Sequence, residues 1–147
     1  VSTLPRELPA RVLDLGCGTG NQLVANHTAF PTIRMIGADR FRGMLRQAQS
    51  KMTPIQWVQA DSAYPPFHPS CFDFISCQFS FHHVEYKEVM LKFVLGLLRP
   101  GGRFVLTNNC PQEMEDWLIY RYFPAARALD FQDFWAPGVI ERVMLEL

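Results

Sequence analysis

Three glycines at alternate positions, Gly16, Gly18 and Gly20, follow the run Val12-Leu13-Asp14-Leu15, and the pattern then turns helical. Glycine tolerates backbone angles that a β-carbon forbids, so such a run lets the chain reverse tightly and pass close to a ligand. A strand that enters this turn and leaves as a helix is also expected to aim free N–H groups at whatever sits above it. Turns of this form bind nucleotide-like cofactors; the alternative is a tight strand-to-helix turn with no ligand. The spacing separates cofactor classes. A dinucleotide fingerprint reads Gly-x-Gly-x-x-Gly. Here the sixth position is Asn21, and the third glycine arrives one residue early.

The rest of the chain alternates strand and helix. Residues 11–15 read as a short buried strand, 20–30 as a helix closed by Pro31, and 33–38 as a second strand ending at Asp39. A helix over 42–52, with Met44, Leu45 and Ala48 at helical spacing, gives way at Pro54 to a third strand over 55–60, which ends at Asp61. The turn-rich run Tyr64-Pro65-Pro66-Phe67-His68-Pro69-Ser70 precedes a fourth strand over 72–77. Residues 85–98 form the clearest helix, with Met90, Phe93, Val94, Leu97 and Leu98 on one face. Arg99-Pro100-Gly101-Gly102 stops it, and 103–108 is a fifth strand. The expected fold is α/β: a Rossmann-like, doubly wound, mostly parallel sheet with helices on both faces.

One domain is expected over 1–147, with 111–147 mostly helical. The fifth strand is then expected to be an uncovered edge, a route to self-association. A first residue other than Met and an end inside an apparent helix read as a fragment.

In such sheets the ligand lies at the carboxyl ends of the strands, where the strand order reverses. Candidate cofactor contacts therefore gather at four strand tips. At the first are Asp14, Gly16, Cys17 and Gly18; at the second, Asp39, Arg40 and Met44; at the third, Asp61, Ser62 and Ala63; at the fourth, Gln78. Asp39 suits the two hydroxyls of a ribose, or else caps the following helix. Asp61 suits an adenine amino group, or else caps its own loop. Asp14 would be costly if buried unpaired, so it is expected to brace the glycine turn's N–H groups or to meet a ligand ammonium through water. The segment Gln78-Phe79-Ser80-Phe81-His82-His83-Val84 would cross the reactive end of the ligand. His83 is there a candidate general base, or a cap for the coming helix.

Composition excludes several classes. Fourteen basic and 14 acidic side chains cancel, so there is no basic excess for nucleic acid. Arg40, Arg42 and Arg46 are a local basic group that reads as a solvated face. No run of about 18 apolar residues suggests a membrane span. Cys17, Cys71, Cys77 and Cys110 contain no C-x-x-C pair, and with His82 and His83 they match no zinc spacing. Reduced thiols of this kind suit a cytoplasmic protein with no metal.

Six runs in order carry a resemblance: Asp14 to Gly20, Asp39-Arg40-Phe41-Arg42-Gly43-Met44-Leu45, Ala60-Asp61-Ser62, Cys71-Phe72-Asp73, Phe81-His82-His83-Val84, and Leu98-Arg99-Pro100-Gly101-Gly102. Together they resemble the successive motifs of the small-molecule class I S-adenosylmethionine (SAM) dependent methyltransferases, the group that includes the ubiquinone/menaquinone methyltransferases. The resemblance implies SAM as cofactor and a full fold that continues past the fifth strand with another helix and two more strands, so its last strands are expected to be lacking here. Gly16 and Gly18 would lie along its methionine part, Asp39 at its ribose and Asp61 at its adenine. It further implies in-line transfer of a methyl group to a small-molecule acceptor. Phe41, where such families often carry Ser or Pro, and Gln78, where many carry Asn, depart from the pattern. No Asn-Pro-Pro-Tyr-like run follows the fourth strand, which argues against methylation of nucleic-acid bases.

The aromatic stretch from Trp117 to Trp135, with Tyr120, Tyr122, Phe123, Phe131 and Phe134, is either a cap selecting an apolar or aromatic acceptor or a pair of ordinary core helices. Two other functions remain open at this point. An NAD(P)-dependent oxidoreductase would want the longer glycine spacing, and no Tyr here has Lys four residues on. A non-catalytic SAM-binding module would bind cofactor without turnover.

Overall fold

The computed structural model describes residues 10–51, 54–114 and 116–147. Five strands form one sheet: β1 (Arg11–Leu15), β2 (Arg34–Asp39), β3 (Gln56–Gln59), β4 (Phe72–Gln78) and β5 (Leu98–Thr107). Every pairing is parallel, and the order is β3-β2-β1-β4-β5. Successive crossovers therefore run outward in one direction from β1 to β3 and in the other from β4 to β5. The reversal falls between β1 and β4, so a crevice opens at their carboxyl ends.

Helices α1 (Asn21–Ala29), α2 (Arg42–Gln49) and α3 (Lys87–Leu97) fill the crossovers. The helix expected over 42–52 is seen as α2, and Met52 lies outside the described residues. Strand alternation divides the core in two. Leu13 and Leu15 of β1 join Ile75 and Cys77 of β4 and the buried face of α3, made by Met90, Leu91, Val94 and Leu97. Val12 faces the other way, with Met35, Ile55 and Leu23 of α1. Phe93, expected on the buried face of α3, is 41% exposed, and Leu91 takes its place in the core. Phe93 instead meets the edge of Tyr64, at 5.9 Å between ring centres.

The fifth strand begins earlier than its sequence suggests. Leu98 already pairs with Phe72, then Arg99-Pro100-Gly101-Gly102 loops out as a bulge before Arg103 pairs with Phe74. Arg99 Nη1 donates to both oxygens of Asp73 at 3.0 and 2.9 Å, and the Arg11 backbone N–H donates to Asp73 Oδ2 at 2.8 Å. Two of the six motif runs thus stabilise the amino end of the sheet, opposite the crevice.

After β5 the described chain is helical, as expected: α4 (Leu118–Tyr122), α5 (Pro124–Asp133) and α6 (Pro137–Glu146). Ile140, Val143 and Met144 of α6 pack on the α3 side of the core. Strand β5 lies at one edge of the sheet and β3 at the other. Among the described residues no helix is long and apolar enough to cross a membrane.

One indole locks the β1–α1 turn to the sheet. A β-carbon at Gly37 would lie 2.6 Å from the Trp57 ring and 2.9 Å from Cys17 Sγ; one at Gly20 would lie 2.3 Å from the same ring. Gly37→Ala is therefore expected to lower stability by about 1–3 kcal/mol through overpacking, measured by urea denaturation. An unchanged midpoint would mean that Trp57 yields freely.

Candidate functional site

At the carboxyl ends of the strands lies a cavity of about 270 Å³. Its lining comes from four tips: Gly16 and Gly18 after β1, Asp39, Arg40, Phe41 and Met44 after β2, Asp61 and Ser62 after β3, and Phe79, Ser80 and His83 to Tyr86 after β4. The sheet order brings these together because β1 is flanked by β2 and β4.

The glycine turn is built as the alternation implies. Gly16, Gly18 and Gly20 all have positive φ, at 71°, 56° and 74°. Gly16 has a second reason to lack a side chain, since a β-carbon there would lie 2.2 Å from Ser80 Oγ. The expectation of free N–H groups is corrected. Gly16 and Cys17 both donate to the Ala38 carbonyl, at 2.8 and 3.1 Å, and Gly20 donates to the Cys17 carbonyl at 2.9 Å. Gly18 donates to Asp39 Oδ2 at 2.8 Å. The turn offers the cavity a bare glycine surface rather than these four donors.

Asp39 is buried and joins two tips. Its Oδ2 takes the Gly18 N–H, and its Oδ1 takes the Phe41 N–H at 2.8 Å, just ahead of α2. A carboxylate has about four acceptor positions. Each oxygen of Asp39 therefore keeps a further acceptor position; the helix-cap reading is not met, because α2 is capped at Phe41 with no side-chain bond. Asp61 likewise closes its own loop, accepting the Ala63 N–H on Oδ1 at 2.8 Å, and still lines the cavity.

Four expected contacts lie outside the lining. Ala63 is 1% exposed and contributes its N–H to Asp61. Gln78 is held in the ladder opposite Thr107. Cys17 packs into the α1-side core, and burial, with Asp14 and Asp39 nearby, pushes its thiol up to about 12. Asp14 does not brace the glycine turn. It sits opposite Ser76 in the β1–β4 register, and Ser76 Oγ donates to its Oδ1 at 2.6 Å. Burial raises the Asp14 carboxyl from 3.8 to about 6, against the pull of the Ser76 bond and with a further push from Asp39.

The segment 78–84 does not cross the cavity as one unit: Phe79, Ser80, His83 and Val84 line it, while Phe81 is buried. Phe79 has φ 50°, a left-handed backbone that costs a side-chain-bearing residue about 1–2 kcal/mol. Its N–H donates to the Thr107 carbonyl at 2.8 Å. Ser80 Oγ donates to the Leu15 carbonyl at 3.0 Å, tying the segment to β1. Phe81 is buried, edge-on to Trp135 at 6.0 Å between centres. His82 turns away from the cavity, stacks on Phe134 at 4.1 Å and bonds Asn108 through Nδ1 at 3.1 Å. His83 lines the cavity, and α3 is capped at Tyr86 without any side chain, so His83 does not cap it. Lys87 is buried beneath; its ammonium donates to the Val84 carbonyl at 2.8 Å and the His82 carbonyl at 3.3 Å.

Phe79, Ser80, Val84, Glu85 and Tyr86 were not singled out as ligand contacts. Their only advance signal is position, directly after the fourth strand. In the aromatic segment, Tyr120 is 7% exposed and its hydroxyl donates to Asp130 Oδ2 at 2.9 Å, which holds α4 on α5. Phe134 and Trp135 are the members that touch the 81–83 turn.

A family model described as a methyltransferase domain matches residues 12–102, the stretch that contains the whole cavity lining. The chain belongs to that family. Trans-aconitate 2-methyltransferase of Azoarcus sp. strain BH72 is 32% identical over 117 residues, 79% of this chain and 45% of its own length. Demethylmenaquinone methyltransferase of Thermus thermophilus is 30% identical over 120 residues, 78% of this chain and 54% of its own length. The chain thus spans about half the length of the curated relatives it matches. A solved structure described as a putative methyltransferase from an antibiotic biosynthesis pathway of Anabaena variabilis superposes with a TM-score of 0.81 over 99% of this chain and 57% of its own, at 18% identity. That likeness covers the fold, including the helices after β5.

The raised Asp14 carboxyl makes a prediction of definite sign. A folded-state pKa above the unfolded value contributes stability below about 3.8, and that contribution is lost as pH rises through about 6. Asp14→Asn, neutral throughout, should gain on the parent by up to roughly 3 kcal/mol across that window, in denaturant titrations at a series of pH values. A constant gap would contradict a buried, titrating carboxyl.

Proposed function

We propose that this chain binds SAM in the strand-tip cavity and transfers its methyl group, by in-line displacement, to a small apolar or aromatic acceptor. One observation carries the reading: Asp39 and Asp61, on different strands, line one cavity with the bare face of the Gly16–Gly18 turn. When bound, SAM supplies an activated methyl group on a positively charged sulfur. The chain's own task is then to hold, orient and exclude water, and positioning of this kind contributes about 7–11 kcal/mol to a bimolecular barrier.

The residues fit that ligand in three ways. Asp39 keeps an acceptor position on each oxygen for a ribose diol. Asp61 and Ser62, with the Phe41 and Met44 side chains, suit a flat nucleobase of mixed polarity. Charge points the same way. The described lining holds three carboxylates, Asp39, Asp61 and Glu85, against the single guanidinium of Arg40. That field attracts a sulfonium and repels a pyrophosphate. The Gly16, Cys17 and Gly18 N–H groups are bonded to the β2 tip and the Gly20 N–H to the Cys17 carbonyl, so none of these four is offered to a pyrophosphate. Both facts weigh against the NAD(P) alternative.

His83 is the proposed general base, on the strength of its exposed imidazole in the lining and the absence of a capping role. The segment from 111 onward is the proposed acceptor cap; its Phe134 and Trp135, between α5 and α6, pack on His82 and Phe81 behind the lining. The outer edge of β5 is the proposed route to self-association.

Calorimetric titration with the demethylated product S-adenosylhomocysteine (SAH) and with NAD decides the cofactor. SAH should bind and NAD should not; the reverse would end the proposal. Asp39→Ala should weaken SAH binding at least tenfold, since charge-assisted bonds are worth about 1.5–3 kcal/mol each. His83→Ala should leave SAH affinity within twofold and slow methyl transfer by about 10²–10⁴. Unchanged turnover would remove His83 from the chemistry and leave a cofactor-binding module with some other base or none.

A further inference from the structure

Phe79 combines two features that the free chain does not compensate. Its backbone is held in the left-handed region at φ 50°, and its ring is 55% exposed at the cavity wall. Among the described residues the ring has no aromatic partner and belongs to neither core cluster. The strain does not come from loop freedom, because the residue is pinned on both sides. Gln78 is in register with Thr107, the Phe79 N–H donates to the Thr107 carbonyl, and the Ser80 hydroxyl is fixed on Leu15. The chain turns at this point so that the ring stands outside the core and over the crevice. Backbone strain held by its surroundings beside a ligand cavity marks a position shaped for the ligand.

The place of the ring in the cavity says which ligand part it meets. Thr107 ends β5, so Phe79 lies on the β5 side of the crevice. The cavity's Asp39, Phe41, Met44, Asp61 and Ser62 belong to the β2 and β3 tips on the far side of β1. Charge narrows the class further. Arg40 is the one guanidinium of the described lining, and it stacks over the Phe41 ring at 4.6 Å, on the β2 side. No described lining cation stands near Phe79 to receive a carboxylate.

Resting on the methyl-transfer reading above, we propose that the Phe79 ring is the wall against which the methyl acceptor lies, and that the acceptor is an uncharged molecule with a flat apolar face rather than a polycarboxylate. The similarity to an enzyme named for trans-aconitate does not bring that acceptor with it. A flat ring gains from stacking on Phe79, and its nucleophilic atom is then carried toward His83. A carboxylate laid against this ring would be desolvated with no cation of the described lining beside it.

The test uses the whole chain loaded with SAH and two probes of one shape: 2-naphthol, uncharged in neutral buffer, and 2-naphthoate, its anionic counterpart. Calorimetry should find 2-naphthol bound at least tenfold more tightly than 2-naphthoate. Phe79→Gly, which frees the backbone and removes the ring, and Phe79→Leu, which keeps the strain and removes the flat face, should each weaken 2-naphthol at least tenfold. Both should keep SAH affinity within twofold, and Phe79→Gly should melt no lower than the parent. Equal binding of the two probes, no binding of 2-naphthol, or unaltered 2-naphthol affinity in both variants overturns the assignment while leaving the cofactor reading intact. Loss of SAH binding in the parent chain overturns both.

Discussion

Asp39 is the joint on which the site depends. One buried carboxylate accepts a backbone N–H from the β1 turn and another from the start of α2, so it fixes the distance between two strand tips. With the Gly16, Cys17, Gly18 and Gly20 N–H groups bonded in this way, the turn presents the cavity with the side-chain-free face of Gly16 and Gly18. The turn's shape, more than its donors, becomes the feature a ligand meets. The Ala38 carbonyl repeats the linkage one residue earlier, taking two N–H groups of the same turn. Shifting β2 by one register step against β1 would break all of these bonds together.

Much of this was legible in the chain. Strand and helix alternation fixed a parallel sheet, and the acids that end the second and third strands fell at the crevice because every strand of a parallel sheet points one way. The glycine alternation matched three positive φ values. What the sequence hid was pairing between strands distant in the chain. Nothing near Asp14 announces that Ser76 lies opposite it, because register is set by the whole sheet. The same holds for Trp57, whose ring reaches Gly20 and Gly37 from an edge strand. Helical spacing fits both Phe93 and Leu91; in the structure Leu91 is buried while Phe93 stays half-exposed against Tyr64.

Motif order carried more information than motif function. The runs around Asp73 and Arg99 rank with the glycine turn as family signals, yet they lie at the amino end of the sheet and hold β1, β4 and β5 in step. The aromatic stretch after β5 divides in a similar way. Tyr120 and Asp130 join helix to helix, while Phe134 presses on His82 and so reaches the back of the crossing segment. Two rings of one compositional cluster thus have different jobs, set by which element each one faces.

The electrostatic character of the cavity explains why the segment after β4 is braced so heavily. Asp39, Asp61 and Glu85 share one wall system, with Asp14 buried beneath and its carboxyl pushed up by that burial. Like charges gathered on one lining raise the cost of holding these groups together. Lys87 secures the turn just ahead of Glu85. Its ammonium, buried and lowered in pKa by burial, is bonded to two carbonyls of the 82–84 turn and holds the segment down from below. Ser80 pins the same segment to β1 from the other side. A cation bound in the crevice would offset the charge of the three lining carboxylates, Asp39, Asp61 and Glu85.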